Sequence, residues 1–497
     1  MNDASAEASK PSAPTPVALA ALGAGAVAAL LLVGRPPGIN WLLVAAAVAA
    51  AISVAWRRPV SPSALVFGGV SLAFVATAAY TAAEWLLALN LVVAIGLASL
   101  TFAPARTWTE FLLGFGAAWW RAPAALTWLL RTRHRLPGRW AAPGALRFAR
   151  GIALGGFLLV VFGALFVSAD RAFAQLADRV LVVPDMTLDL LPARLAVAGT
   201  VTLFAASLAS FKPALGVGRG GPAEWVDGIK HEFGEATRRR RLGRTEWITA
   251  LAMLDALFAL FVIVQITVLF GGREHVLDTS GLTYAQYARS GFFQLVAVAA
   301  LTLLVLGFFA RYAERTRTRD TLLLRILGGV LVALTLVVLA SALKRLSLYE
   351  EVYGFTRLRL VVHAAILWFG VMFGVVAVAG ARGSARWVPH AVVVISSLSL
   401  LAFGLIRPDA FIAGRNVERF EETGKIDLGY LQQLSADAAP ALARLPEPER
   451  SCTLQDLRYE LGESESLWSL NLARGTAREI LNDTPESASA LQSCPYP

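Results

Sequence analysis

The chain has 497 residues, 56% of them hydrophobic and only 16% charged, with a mean hydropathy of +0.59. That balance lies beyond what one water-solvated core requires and excludes an ordinary soluble enzyme. The net charge of +10 would suit a nucleic-acid binder, but the basic residues are spread among loops between apolar runs, so their placement carries the meaning and no nucleic-acid partner is needed.

Residues 1–16 form an Ala/Ser/Pro-rich tail with Asp3, Glu7 and Lys10, too poor in apolar groups to fold alone. Eleven apolar runs follow, at 17–33, 39–56, 64–83, 85–103, 151–168, 192–211, 247–270, 290–310, 322–343, 358–379 and 388–406. Each has roughly 17–25 residues, enough to cross a ~30 Å hydrocarbon layer at 1.5 Å per residue. No basic region precedes the first run, and the tight turn Gly34-Arg35-Pro36-Pro37-Gly38 leads from it into the second, so a span is preferred to a secretory signal peptide. The expected fold is all-α, a polytopic transmembrane bundle of about eleven spans.

Lys and Arg are retained on the cytoplasmic side of short loops. The N-terminal tail and the alternate gaps 57–63, 104–150, 212–246, 311–321 with Arg325, and 380–387 hold 26 of the 45 basic residues. The opposite gaps, with Arg194, hold ten, and the segment from Arg407 onward holds nine. This predicts a cell-membrane protein with its N-terminus inside and its C-terminus outside. Arg238-Arg239-Arg240-Arg241 and Arg131-Thr132-Arg133-His134-Arg135 then face a lipid bilayer with an anionic inner leaflet.

The domain reading follows: tail 1–16, a four-span region 17–103, cytoplasmic interfacial helices 104–150, a seven-span core 151–406 and an extracytoplasmic helical domain 407–497. The 104–150 gap mixes Trp108, Trp119, Trp120 and Trp128 with Arg121, Arg131 and Arg133, a headgroup-level texture. The competing reading is a further span across 107–130, which Arg121 and Pro123 oppose. In 407–497, apolar residues at helical spacing predict short helices at 427–434, 438–445, 454–461 and 467–481. The only two cysteines, Cys452 and Cys494, both fall here and read as a disulfide in an oxidising compartment; the alternative is two unpaired buried thiols. The expected use of this domain is contact with another envelope protein.

Inside the runs the polar inventory is short. Asp255 lies about a third of the way across its run, where an ionised carboxylate costs at least ~2.5 kcal/mol. The expectation is a neutral acid hydrogen-bonded to a Ser or Thr such as Ser207 or Thr202, with a cation- or proton-binding role as the alternative. Gln265, named beside Asp255 in the candidate intramembrane site, reads with Gln294, His363 and Ser396-Ser397-Ser399 as interhelical glue; Gly370 and Gly374 read as a small close-packing face. No Gly-rich phosphate loop, Gly-x-Ser-x-Gly or Cys-x-x-Cys occurs, and His231-Glu232-Phe233-Gly234-Glu235 lacks the second His of a zinc helix. No catalytic residue, metal site or cofactor is implied.

Several segments have a distinctive texture: Ser168-Ala169-Asp170-Arg171-Ala172-Phe173, Leu269-Phe270-Gly271-Gly272, residues 283–293 around Tyr284, Tyr287 and Arg289, and residues 349–359 from Tyr349 through Glu350, Glu351, Tyr353 and Arg357 to Arg359. Arg407-Pro408-Asp409-Ala410-Phe411 with Asn416, Leu428-Gly429-Tyr430-Leu431, and residues 434–442 continue the series. Together these resemble the domain-of-unknown-function family numbered forty-one seventy-three, close to the one numbered forty-one fifty-three, over roughly residues 150–445. Phe355 stands where that pattern favours Leu, and Arg407 where it favours Asn. The resemblance implies an uncharacterised bacterial multi-pass membrane protein and supplies no activity.

The expected topology puts nearly all of these segments on the outer face. There Lys344, Arg345, Arg357 and Arg359 surround Tyr349, Glu350, Glu351 and Tyr353, and Gly354 supplies a bend. A salt-bridge network locking the turn is preferred to a phosphate, carboxylate or glycan site, and Tyr284, Tyr287 and Arg289 are weighed alike. Three functions fit, in order: an envelope interaction or signalling component, a transporter of a small solute or ion using Asp255, and an envelope enzyme with an outer-face site.

Overall fold

The computed structural model describes residues 14–55, 62–102, 105, 107–132, 190–210, 242–270, 292–462, 466–484 and 494. In chain order the helices are α1 (Thr15–Leu32), α2 (Ile39–Ala55), α3 (Pro62–Ala76), α4 (Glu84–Phe102), α5 (Trp108–Phe115), α6 (Ala117–Trp120), α7 (Ala122–Thr132), α8 (Leu191–Ala209) and α9 (Arg244–Phe270). They continue as α10 (Phe292–Tyr312), α11 (Thr318–Tyr353), α12 (Arg357–Arg382), α13 (Val388–Leu405), α14 (Pro408–Thr423), α15 (Leu428–Gln432), α16 (Ala439–Leu442), α17 (Glu449–Leu461) and α18 (Leu472–Asp483). Among the described residues the only extended pairing is an isolated bridge between Leu242 and Ala313.

Ten of the eleven apolar runs fall on these helices, and the run at 151–168 lies outside the described residues. Among the described helices seven are long and apolar enough to cross a bilayer, and those at Ile39–Ala55, Ala64–Ala79 and Ala193–Ala209 are apolar but shorter. The chain is therefore a multi-pass membrane protein. Residues 107–130 do not make one rod: α5, α6 and α7 are separated at Gly116 and Arg121.

The described residues form two compact units. The first holds α1, α2, α6, α7 and α8 around a core built almost wholly of alanine, with Ala21, Ala24, Ala51, Ala205, Ala206 and Ala209 against Trp128. Small side chains let backbones approach closely, which is how helices gain dispersion energy where lipid offers no hydrophobic drive. The limit is reached at Gly25 of α1, where a Cβ would collide with Thr202 Oγ1 and the Ala198 carbonyl of α8. Asn40, fully buried, organises the α1–α2 turn by accepting from Gly38 and Trp41 N–H and donating to the carbonyls of Leu31 and Pro36. Gly370 and Gly374, by contrast, have open space where a Cβ would go, so the expected close-packing face on α12 is not used among the described residues.

The second unit centres on α9, α10, α11 and α12, with Trp247, Leu251, Leu331, Leu346 and Phe373 among its fully buried side chains. One end is pinned where Leu242 exchanges backbone hydrogen bonds with Tyr312 and Glu314, Trp247 Nε1 donates to the Glu314 carbonyl, and Arg244 Nε lies 2.9 Å from Asp320. Helices α9 and α11 thus start at the same level and pack side by side, and α10 packs on α11 and α12. Asp320 also accepts from the Arg317 N–H at the start of α11. The 36 residues of α11 reach past both ends of the expected span 322–343, so the loop expected from 344 is helical to Tyr353 and only Gly354, Phe355 and Thr356 connect it to α12. Elsewhere in this unit His390 at the start of α13 packs against both Phe67 and Phe111, with ring centroids 6.5 and 4.7 Å away, and the two Phe rings also touch each other.

The C-terminal helices α14–α18 share a core of Ile412, Val417, Leu431, Leu442, Leu454 and Leu457 that also takes in Ala82, Phe355 and Leu360. Helix α14 was not foreseen, because its 16 residues carry only one apolar stripe between charged ones. Cys452 and Cys494 form the expected disulfide, with Cα atoms 5.5 Å apart.

Candidate functional site

The most densely bonded place in the second unit is the joint where the ends of the apolar helices meet α14–α18. Arg357, the first residue of α12, forks onto Asp409 near the start of α14, with Nε 2.9 Å from Oδ1 and Nη2 2.6 Å from Oδ2. Its Nη2 also donates to the Gln433 carbonyl at 2.9 Å, and its backbone N–H donates to Tyr430 Oη at 2.6 Å. Asp409 is fully buried and additionally accepts from the Ser435 N–H. A planar guanidinium matches a carboxylate in two parallel bonds, which fixes direction as well as distance.

Ser435 passes the network on, since its hydroxyl lies 3.1 Å from Asp437 Oδ2. That oxygen also accepts from Thr81 Oγ1 and from the Ala82 N–H, both at 2.8 Å, in the connection between α3 and α4. The other oxygen of Asp437 is 3.5 Å from Arg407 Nε. Arg407, in turn, donates to the Tyr80 carbonyl and lies 4.0 Å above the Tyr80 ring. Asn471 clamps the same connection, donating to the carbonyls of Ala78 and Thr81 while capping α18.

The two buried aspartates are electrostatically distinct. Burial alone would raise Asp409, but the hydrogen bonds from Arg357 and the Ser435 N–H, with the Arg357 charge, hold it below the usual carboxylate range. For Asp437 burial wins over Thr81, Ala82, Ser435 and the more distant Arg407, and its carboxyl is pushed up. Burial likewise pushes the Tyr430 phenol up against the opposing effect of Arg357.

The α11–α12 turn is held separately. Gly354 has φ of 76°, a conformation open to glycine, and a Cβ there would strike Asn416 Oδ1. Asn416 receives the Phe355 N–H and donates to the Phe355 carbonyl, both at 2.9 Å. Arg419 donates to the carbonyls of Glu351 and Val352 at the end of α11, and Arg359 donates to those of Tyr353 and Gly354. Arg359 also lies 4.4 Å above the Tyr349 ring, which stands 4.7 Å from that of Tyr353. Glu350, 3% exposed, places Oε2 3.5 Å from His363 Nδ1, whereas Glu351 is exposed.

The expected cluster is therefore partly assembled, with different partners. Tyr349, Tyr353 and Arg359 do meet, but Arg357 pairs with Asp409 instead of Glu350 or Glu351. The reason is the unforeseen α14, which brings a better-matched carboxylate. Tyr284, Tyr287, Arg289 and the side chain of Gln265 lie outside the described residues. Asp409, Asn416 and Asp437 stood inside distinctive motifs without being singled out. Thr81 and Asn471 gave no sequence signal, because a lone Thr or Asn at a helix end is common.

Asp255 sits in the buried stripe of α9 with Trp247, Leu251, Phe258 and Val262, and is 8% exposed. Among the described residues neither carboxylate oxygen has a hydrogen-bond partner. Ser207 and Thr202, the hydroxyls suggested for it from the sequence, belong to the other compact unit, where Thr202 is packed against Gly25. The buried hydroxyls of Thr302 and Thr335 bond back to their own helices, at Val298 and Leu331.

No curated protein and no solved structure matches the chain. One family model does match, and it begins at residue 64, well before the resemblance noted from about residue 150, so α3 and α4 fall inside the family region with α14 and α15. Its number is the neighbour of the one expected from the motifs. The joint built from residues 80–82, 354–359, 407–419 and 430–437 lies entirely within the match, and the chain belongs to the family described as Domain of unknown function (DUF4153), over residues 64–445.

Proposed function

We propose that this protein is an interaction or signalling component of the bacterial cell membrane, with about eleven spans, a cytoplasmic N-terminus and an extracytoplasmic C-terminal domain held rigidly against the span ends. The observation that carries this reading is the Arg357–Asp409 fork with its extension through Ser435 to Asp437 and Arg407. A domain fastened at so many points suits transmission of an external contact to the bundle. It suits an outer-face enzyme less well, because Arg357 is committed to Asp409 and Gln433. The basic side of the bundle would rest on the anionic inner leaflet.

The test combines topology with genetics. A reporter active only outside the cytosol, fused after Pro497, is active, and a cytosolic reporter at the same point is silent. In a strain lacking the gene and tested under envelope stress, Arg357→Ala fails to restore growth and Asp255→Asn restores it. A cytosolic C-terminus, or full rescue by a stably inserted Arg357→Ala, overturns the reading.

A second reading, transport of a proton or small cation, is favoured by the two unpartnered oxygens of Asp255. It predicts flux into proteoliposomes that Asp255→Asn abolishes without impairing insertion. Absence of flux of protons, sodium and potassium by the native protein removes it.

A further inference from the structure

The exposed apolar residues of the C-terminal helices are not scattered. Leu470 and Leu472 are 49% and 56% exposed and flank Asn471, which is buried. In an extended stretch alternate side chains face opposite ways, so the inward turn of Asn471 sends both leucines outward. Asn471 is fastened to the carbonyls of Ala78 and Thr81, in the short connection between the apolar helices α3 and α4. That connection marks the level at which those helices leave the hydrocarbon.

A second element reaches the same connection from the bundle side. Tyr80 Oη donates to the Leu405 carbonyl at the end of α13, and Leu405 and Ile406 are both exposed. Leu405, Ile406, Leu470 and Leu472 thus surround one membrane-exit loop, together with Tyr80 and the Arg407 guanidinium above its ring. Aliphatic side chains beside Tyr and Arg are the composition of the headgroup boundary. The lipid-facing surface of α4, where Leu89 and Val92 are exposed, runs toward this loop.

We infer that residues 470–472 are a lipid-docking segment, with Leu470 and Leu472 seated at the boundary between headgroups and acyl chains of the leaflet on this side. The occupant is the bilayer itself. The inference is independent of the proposed function, because it fixes how the C-terminal helices rest on the membrane whatever they bind.

The experiment uses the full chain in vesicles of phosphatidylcholine and phosphatidylglycerol. Leu470→Cys and Leu472→Cys are labelled separately with an environment-sensitive fluorophore in the absence of reductant, when Cys452 and Cys494 are bonded to each other. Tyr459→Cys on α17, 92% exposed, is the aqueous reference. The expected result is blue-shifted emission at 470 and 472, quenched more by nitroxide lipids labelled near the headgroup than by ones labelled near the chain end, with iodide acting only on 459. Iodide quenching at 470 and 472 equal to that at 459 overturns the inference. So does blue-shifted emission that no nitroxide lipid quenches, which would mean that protein covers the segment. If one labelled variant is not monodisperse, the other decides.

Discussion

Asp409 and Asp437 lie on either side of Ser435 yet are held in opposite ways, and their substitution separates the two effects. Asp409→Asn leaves Arg357 without its charge partner; because the Arg357 side chain is 34% exposed, water screens it and the loss falls below the ~3–5 kcal/mol of a fully buried pair. Asp437→Asn removes a carboxylate that burial already disfavours, so its cost at neutral pH is much smaller. Thermal unfolding in detergent at pH 7 should rank the two in that order, and an equal loss would refute the assignment. The pH dependence follows the same signs. The folded value of Asp409 lies below its unfolded value near 3.9, so its contribution is complete above that pH and is lost as pH falls through the folded value. Asp437 has a folded value above the unfolded one, so deprotonation weakens the fold as pH rises through it; Asp437→Asn should flatten the stability profile above the usual carboxylate range, and Asp409→Asn the acid limb below it. Arg407 shows what sequence could and could not reveal. It stands where the resemblance noted in the sequence favours Asn, and it is the one non-glycine with positive φ among the described residues, at 52°. Asn is the natural occupant of that backbone region, so the departure was visible, but the Tyr80 ring and Asp437 that hold the arginine there were not.

The helices themselves were legible because hydrophobic length is a strong signal in a membrane chain. Their joints were not, because they depend on single polar residues far apart in sequence. Helix α11 illustrates both: its apolar centre was recognised, while its extension through Glu350 to Tyr353 was hidden by charges that belong outside the hydrocarbon. Helix α1 gives a direct test of packing against simple helix length. Gly25 lies against Ala198 and Thr202, and Gly23, two residues earlier, has nothing within 4 Å of a notional Cβ. Gly25→Leu should separate α1 from α8 and lower the unfolding temperature markedly, while Gly23→Leu should leave it nearly unchanged. Both variants keep the helix apolar, so equal behaviour would show that the alanine-lined contact contributes little.

The whole molecule depends on fastening as well as on lipid. Cys452 and Cys494 close a loop of 42 residues' separation around α17 and α18, which a chain-entropy treatment values at about 4 kcal/mol. Reduction should therefore loosen α14–α18 before the apolar helices, seen as early proteolysis within 407–497 while 292–405 stays protected. Simultaneous loss of both would mean that the C-terminal helices have no separate stability. The disulfide was readable from the count and position of two cysteines; the Arg–Asp joint, made of residue types found at many helix ends, was not. Helix α11 adds a mechanical consequence. Its 36 residues span roughly 54 Å, far more than the ~30 Å of hydrocarbon, as a single uninterrupted shaft. It is gripped near its first turn by Arg244 through Asp320 and just beyond its last by Arg419 and Asn416. Held at both tips, such a shaft ties the two fastenings together directly, with no loop in between to absorb a displacement of either.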